Sequence, residues 1–577
     1  MARVIEVFRR ENRCGIRGPV NPEFLRRVRD IPCDVKWVGR DVFFEPTSAA
    51  LEHVKQAFPE AQWDVDSSAW LLAVQCAKDA APSPALRVVR DYVYKTEPYQ
   101  HQHDIFLLSR DLPEYGLFWE MGLGKTKLIC DTAAWLWGRG KIQALLVIAF
   151  PNGVHRNWVT KEVPAHLPDY VPRKCVAWNA SKPDKQCDEL FSHNPDDQCL
   201  LVLTMNVEAL SSARGAAMAA KFCRAFKTLL TIDESTSIKA PGAKRTEVAL
   251  KLGKLVPYRR IMSGTPVTKW PLDLWAQLTF LSEFIHHCGS FYAFRSTYAI
   301  MKALPGKTSP RGQAIKIVVG FKDLDKLTAL IKPHTSRLLK DDCLDLPPKL
   351  YRRLPVELSK EQRRIYMELC ENMMVEYKGR TIAAPLAMNL LQRLHQVVLG
   401  FLPQAPGEDS LDAVPIDGPN PRLEDFLDDI EQVDGKSLVW VSYRYTARQV
   451  VRALSERYGE GTAAGFTGAT PADKRPVLVD QFEDGNSKLR FLVGNKAMAY
   501  GWTLLRGRSN YYYSNSYELE VRLQSEDRPH RIGQTRSVTN TDVECEGTVD
   551  SRIIRALQDK REIASVVLGD SISEWLA

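Results

Sequence analysis

The chain has 577 residues, 45% of them hydrophobic and 26% charged. That length argues for about four domains and against a single small binding module. The composition excludes disorder, collagen and coiled coil for the chain as a whole. Net charge is only +8, too mild to indicate a nucleic-acid partner by itself.

Charge is unevenly spread. Residues 1–40 hold ten Arg/Lys against five Asp/Glu, and residues 403–435 hold ten Asp/Glu and a single base, Arg422. The pattern reads as a basic body interrupted by an acidic linker that repels polyanions. No run of about 18 apolar residues predicts a membrane span, and the start lacks a signal-peptide core. The twelve cysteines are scattered without a CxxC pair, which fits reduced thiols in a cytoplasmic, intracellular compartment. The His286–Cys288 run is read as a helix end rather than a metal site.

In chain order, residues 1–88 are expected to form a small basic accessory domain of α+β type. From 89 to 285, β-rich runs (YGLFW 115–119, ALLVIAF 144–150, LLVLT 200–204, LLTI 229–232) alternate with helical stretches. Such alternation predicts an α/β lobe with a parallel sheet. Residues 286–400 are expected to be mainly helical, and the Pro/Gly-rich acidic stretch 401–436 to be a linker or long loop. Residues 437–577 repeat the α/β alternation, with SLVWVS (437–442), AAGFTG (463–468), LRFLVG (489–494) and NYYYSN (510–515).

Two motifs carry chemistry on their own residues. In EMGLGKT (Glu120–Thr126) a glycine-rich turn joins an apolar run to a helix whose Leu128, Ile129, Thr132, Ala133 and Leu136 have helical spacing. Backbone N–H groups at Gly122, Leu123 and Gly124 suit phosphate, with Lys125 reaching the β- and γ-phosphates of ATP and the Thr126 hydroxyl ligating Mg²⁺. Trp119 stands where the usual Walker pattern wants Gly. In LLTIDEST, a buried strand runs straight into Asp233 and Glu234, a costly place for carboxylates without a task. Asp233 is expected on Mg²⁺, and Glu234 as the general base on the attacking water.

Together with RRIMSGTPVTKWPLDLWAQLTFL (259–281), these segments resemble motifs I, II and III of the Swi/Snf-type DNA translocases of helicase superfamily two. LLVIAFPNGVHRNWVTKE (145–162) resembles motif Ia, VLTMNVEAL (202–210) takes the place of Ib, and RLLKDDCLDLPPK (337–349) is similar to the segment crossing between the lobes. SLVWVSYRY (437–445) sits where motif IV belongs. LVGNKAMAYGWTLL (492–505) resembles motif V and LQSEDRPHRIGQTRSV (523–538) motif VI. The likeness covers about residues 95–560, and its most specific part is the RxHRxGQ core.

The resemblance implies two RecA-like lobes enclosing ATP and Mg²⁺. It implies Arg528 and Arg531 as arginine fingers, Gln524 at the nucleotide or lobe interface, and Gly501 as the place where the motif V backbone nears the cleft. Gln102, preferred to Gln100 for its distance from the phosphate loop, is the expected adenine reader; Tyr99 either stacks on the base or lies in the core. Ser263, Gly264 and Thr265 are expected to couple the lobes. The family's DEAH becomes DEST here. Thr236 replaces a histidine, and its hydroxyl is expected to hydrogen-bond to motif III without carrying a proton.

Residues 18–47 resemble the HARP-type module of annealing helicases, which implies that Arg26, Arg27 and Arg29 meet phosphates and that Trp37 stacks on bases of branched DNA. The residues alone equally fit a small domain with core aromatics and solvated arginines. The function expected is a monomeric, ATP-driven translocase on double-stranded or branched DNA, with no RNA and no membrane partner, in a bacterial cell or phage-infected host. It would remodel or reanneal DNA or displace bound proteins. The alternatives are a strand-separating helicase acting on forks and a nucleotide-gated DNA-bound adaptor with slow ATPase.

Overall fold

The computed structural model describes residues 5–568 except 11–12, 19–21, 30–34, 39–40, 45–47, 64–91, 151–153, 181–184, 193–197, 309–313, 378–379, 384–386, 404–412 and 472. The chain divides into two compact units, one of residues 1–93 with 103–108, the other of 94–102 with 109–577. The expected boundary at residue 88 lies outside the described residues.

In the smaller unit, five strands line up in the order Val35–Val38, Asp41–Phe44, Arg13–Arg17, Glu6–Arg10 and Gln62–Trp63, joined by helices Pro22–Arg29 and Ser48–Ala57. Val7, Ile16, Phe24, Val28, Val42, Phe44, Val54 and Phe58 fill its core. The α+β character expected from the sequence is present.

The larger unit contains two parallel sheets, the layout of RecA-like lobes. The lobe-one sheet has seven strands, ordered Thr335–Leu338, Glu114–Trp119, Tyr258–Met262, Thr228–Asp233, Ala144–Ala149, Leu200–Asn206 and Arg173–Ala177. The Ala144–Ala149 strand is buried at every position, as a sheet covered by helices on both faces requires. The lobe-two sheet has six strands, ordered Lys349–Val356, Val538–Cys545, Gly507–Tyr512, Lys436–Trp440, Phe491–Gly494 and Ala463–Phe466.

Three expectations about organisation need correction. Residues 286–400 are not mainly helical. They contain a hairpin (Ala299–Thr308 with Ala314–Phe321), a second hairpin (Met374–Tyr377 with Arg380–Ala383), and an edge strand for each lobe sheet. Branched residues in IKIVVGF favour strand over helix. Lobe one therefore extends past 285 to take Thr335–Leu338, and lobe two begins before 437 by taking Lys349–Val356. The stretch 401–436 is not simply a linker. Pro421–Glu431 is a helix capped by Asn420, with Arg422, Phe426 and Ile430 buried. Phe426 and Ile430 recur at i and i+4, so Glu424, Asp425, Asp428 and Glu431 fall on the solvent face while Asp429 bonds to Arg352 and Tyr511. Arg422 pairs with Asp550 and donates to the Val543 carbonyl, fixing the helix to lobe two.

The Val549–Leu568 helix joins the lobes. Val549, Ile553 and Leu557 lie in the lobe-two core, whereas Ala564 and Val567 lie in that of lobe one. Twenty residues of helix reach about 30 Å, enough to cross between them.

Candidate functional site: an interlobe cleft

The glycine turn ends the Glu114–Trp119 strand and begins the Lys125–Gly138 helix. Gly122 and Gly124 have φ of +88° and +82°, a left-handed backbone that other residues adopt only with strain. A Cβ on Gly124 would lie 2.1 Å from Gln102 Nε2. Lys125 Nζ donates to the carbonyls of Trp119 and Glu120 at 2.7 and 3.2 Å, across the mouth of the loop. Gln102 Nε2 donates to the Leu123 carbonyl at 3.0 Å while its Oε1 accepts from Tyr99 N at 3.1 Å. The favoured glutamine is thus fastened to the phosphate loop. Tyr99 stacks on His101 with centroids 5.8 Å apart and remains 46% exposed, so it is not a core residue.

Asp233 and Glu234 close the Thr228–Asp233 strand. Glu234 has φ of +55°, a strained conformation for a side-chain-bearing residue and one concentrated at functional sites. Asp233 Oδ2 accepts from Trp158 Nε1 at 3.0 Å. Trp158 is 1% exposed and opens a π-helical turn, Trp158–Glu162, a deviation frequent at functional sites. Sequence alone puts Trp158 in motif Ia and gives it no role, because its partner is 75 residues away. Burial pushes both acidic side chains up. Glu234 reaches about 7, with Asp233 and Glu520 adding to burial and Lys125 opposing it. Burial lowers Lys125, and these two carboxylates offset part of that effect.

The two oxygens of Glu234 are held from different lobes. Ser263 Oγ donates to Oε2 at 3.2 Å, and Gln524 Nε2 donates to Oε1 at 3.2 Å. Thr265 N donates to Ser263 Oγ at 3.1 Å, and Arg337 donates to the Gly264 carbonyl at 3.1 Å. Thr265 Oγ1 is buried without a hydrogen-bond partner and lines an interlobe pocket with Arg337, Leu519 and Gln524.

Thr236 differs from expectation. Its hydroxyl faces Glu520 Oε1 in lobe two at 3.5 Å, not motif III. The Ser235–Ile238 turn sends Ser235 to Gln277 at 2.6 Å and leaves Thr236 on the cleft side.

Motif VI begins in the last turn of the Leu519–Glu526 helix. Arg528 is 2% exposed; it donates to the Trp502 carbonyl at 2.7 Å and reaches Met121 Sδ of the phosphate loop at 2.7 Å. Arg531 donates to Thr503 Oγ1 at 2.8 Å, and a Cβ on Gly122 would lie 3.7 Å from its Nε. Both arginines therefore meet motif I. Gly501 has φ of +78°, and a Cβ there would approach Val154 Cγ2 to 3.3 Å.

The crossing segment contributes residues to which the sequence attaches no role. Lys340 Nζ and Lys349 Nζ lie 2.7 and 2.9 Å from Asp527 Oδ1, and Lys340 N donates to Glu120 Oε2 at 2.8 Å. Burial alone would raise Asp527, but the two lysines hold it well below the usual carboxylate range. Burial draws Lys340 down to about 8. His530 Nε2 is 2.8 Å from the Pro347 carbonyl.

A groove of about 740 Å³ also crosses the two lobes, lined by Lys239 and Arg245 from one and Arg444, Arg475 and Lys496 from the other, with Glu208, Glu518 and Glu520 among them and Lys496 paired with Glu518. Phe150 stacks on Tyr500 within it, centroids 4.4 Å apart. No local sequence signal marks these bases, since they are dispersed between residues 239 and 496.

Other candidates stand apart. His286 lies 2.9 Å from Thr279 Oγ1 and accepts from Cys288 N at 3.1 Å, and no metal-holding cluster occurs among the described residues. Every described cysteine is a free thiol. No helix among the described residues is long and apolar enough to cross a membrane. Arg27 is engaged within its own unit by Glu23, Glu60 and the Ala57 carbonyl. The side chains of Arg26, Arg29 and Trp37 lie outside the described residues.

The chain is similar to several known proteins over most of its length. The mouse SWI/SNF-related matrix-associated actin-dependent regulator of chromatin subfamily A member 1 is 24% identical over 467 residues, covering 78% of this chain and 41% of the relative. A putative ATP-dependent helicase/translocase of Bacillus subtilis is 23% identical over 84% of this chain and 50% of its own length. A Caenorhabditis elegans homolog of subfamily A-like protein 1 is 26% identical over 85% and 64%. The chain thus spans about half the length of the curated relatives it matches. The Sulfolobus solfataricus SWI2/SNF2 ATPase core in complex with dsDNA aligns over 83% of this chain and 95% of its own, with 20% identity and a TM-score of 0.36. Residues 99–398, just over half of the chain, match the SNF2-related domain, and the chain belongs to that family.

Proposed function

We propose that the chain is a DNA-dependent ATPase that steps along duplex DNA by opening and closing its interlobe cleft, so remodelling or reannealing DNA or displacing bound proteins. The observation that carries this reading is the two-lobed composition of both sites. The carboxylates and glycine loop come from lobe one and the arginines from lobe two, and a basic groove crosses the same two lobes.

The cleft fits Mg·ATP. Two left-handed glycines form a cradle, and Lys125 faces two carboxylates. Thr126 and Asp233 would hold Mg²⁺, which would neutralise phosphate charge. Gln102 would read adenine. Glu234 takes the proton of the attacking water, and Lys125 binds the phosphates as a point charge. Arg528 and Arg531 neutralise charge developing on the γ-phosphoryl group, a contribution of about 10³ to 10⁵ in rate in comparable systems. Ser263, on Glu234, and Thr265, beside it, couple the change in the cleft to the other lobe.

Backbone phosphates in the groove would be gripped without reading bases, which suits a tracking motor. ATPase rate against duplex, forked, single-stranded and RNA ligands tests the reading, together with ATP-driven displacement of a triplex-forming strand. Duplex stimulation with triplex displacement is expected. Blunt-duplex unwinding would indicate a strand separator instead, and DNA binding without stimulated turnover an adaptor.

A further inference from the structure

Among the described residues, the Ala299–Thr308 and Ala314–Phe321 strands pair only with each other. The hairpin is rooted in lobe one. Met301, Val318 and Phe321 pack against the lobe-one core, and Lys322 N donates to the Tyr298 carbonyl at 3.0 Å. Beyond that root it leaves the body. Ala314, Ile315, Lys316 and Ile317 are exposed in succession, and successive strand side chains point to opposite faces, so neither face is covered there. From Met301 to Thr308 the strand runs about 20 Å. A two-stranded hairpin without a core is marginal in water. This one also shows Ile300, Ile315, Ile317 and Val319 to solvent, each at least 40% exposed.

Its charge has one sign. Residues 299–321 hold Lys302, Lys307, Arg311 and Lys316 and no Asp or Glu. Lys302 stands opposite Ile317, and Ala303 opposite Lys316. One face therefore carries Lys302 with Ile315 and Ile317, and the other carries Lys316. Asp323, the first acid after the hairpin, is taken by Lys326 at 2.7 Å. The root also adjoins the rim of the basic groove. Phe321 packs on Trp270 with centroids 6.2 Å apart, and Lys269 Nζ lies 4.4 Å from the Trp270 ring centroid. Thr268 Oγ1 accepts from Lys239 Nζ at 2.6 Å, and Lys239 lines that groove. Bases thus continue from the groove through Lys269 to the hairpin.

We propose that the hairpin is a second DNA contact, a basic β-ribbon that lies in the major groove of the duplex held between the lobes. The proposal rests on the DNA-tracking reading. A polyanion complements a segment that has bases and no acid, and the major groove, about 12 Å wide, admits a two-stranded ribbon. Lysines on both faces reach phosphates on both groove walls, because their flexible stems carry the ammonium away from the strand. Ile315 and Ile317 meet base edges through apolar contact, which reads at most the thymine methyl group. Because the ribbon belongs to lobe one alone, its grip persists while the cleft opens.

The test compares the full chain as wild type, Lys302→Gln/Lys316→Gln and Ile315→Ser/Ile317→Ser, on a duplex long enough to extend past the interlobe groove. Fluorescence anisotropy against salt is joined by dimethyl sulfate footprinting, which reads guanine N7 in the major groove. The lysine variant should lower the slope of log K against log salt by about 1.8, the effect of two phosphates. The isoleucine variant should weaken binding about threefold or more with its slope unchanged, since it loses apolar contact and no charge. Both should lose a patch of guanine N7 protection that wild type shows, while ATPase without DNA stays at the wild-type rate. An unchanged slope in the lysine variant overturns the proposal and leaves the lysines as guards against edge-to-edge pairing of an open hairpin. Wild type without guanine N7 protection overturns it as well. So does wild-type self-association that the isoleucine variant abolishes with DNA binding intact, which would make the face a contact between copies of this chain. If duplex fails to stimulate wild-type ATPase, the motor reading falls on its own, and the slope of the lysine variant still decides whether the hairpin holds DNA.

Discussion

Gln524 of lobe two donates to Glu234 Oε1 at 3.2 Å while Ser263 of lobe one donates to Oε2 at the same distance. The carboxylate is held by both lobes at once, so its geometry depends on closure. This relationship underlies the first prediction. Glu234→Gln should retain ATP binding, measured by fluorescent-nucleotide titration, and lose about 10² to 10⁴ in turnover. Because burial pushes Glu234 up to about 7 and the base works ionised, kcat should fall as pH drops through that value and level off above it. Wild-type turnover in Glu234→Gln would remove the residue from the mechanism.

Arg531 and Arg528 should separate in their effects. Arg531→Ala should lower kcat steeply, by about 10³ or more, with nucleotide affinity nearly intact, since its contribution belongs to the transition state. Arg528→Ala should lower kcat similarly and also lower Tm, because its buried guanidinium braces the Trp502 carbonyl and the phosphate loop. Steady-state kinetics with thermal melts distinguishes them. A pure affinity loss at Arg531 would assign it to ground-state binding.

Asp527 anchors the crossing segment through Lys340 and Lys349. Asp527→Ala would leave Lys340 buried without its counter-charge. The expected cost is about 3–5 kcal/mol of stability, the range for breaking one side of a buried pair, read by denaturant unfolding. A loss under about 1 kcal/mol, the worth of an exposed pair, would mean that solvent reaches the cluster.

Groove bases should appear in salt dependence. Neutralising Lys239 or Arg475 should weaken duplex binding across sequences. It should also reduce the slope of log K against log salt by about 0.9 for each phosphate that is no longer neutralised. Fluorescence anisotropy from low to moderate salt measures this. An unchanged slope would place the DNA elsewhere.

Removing residues 1–88 tests the N-terminal unit. Fork binding should weaken and its salt dependence flatten, while ATPase on long duplex should fall less. Arg27 is engaged by Glu23 and Glu60, so Arg27→Ala should affect fork binding less than the deletion does. Unchanged fork affinity in the truncated chain would exclude a DNA role for the unit.

The sequence by itself determined the local parts. Apolar runs ending in GLGKT and DE marked the lobe-one strands and the loops at their ends, because strand burial and phosphate cradles impose short-range patterns. Motif VI at RPHRIGQ was legible only through its resemblance to the Swi/Snf-type translocases, since the run by itself reads as a solvated face. Tertiary structure alone decided which distant parts meet. Thr236 turns to Glu520 rather than to motif III, Trp158 reaches Asp233, and Lys340 and Lys349 converge on Asp527. Composition misled at 421–431, where Glu424, Asp425, Asp428 and Glu431 lie on the exposed side of a helix whose other face is core. The edge strands Thr335–Leu338 and Lys349–Val356 were missed for a related reason: a short segment gains its strand identity from the neighbour it pairs with. Periodicity records the environment along one segment. Interlobe contacts depend on how two independently folded sheets are oriented, and no local repeat encodes that orientation.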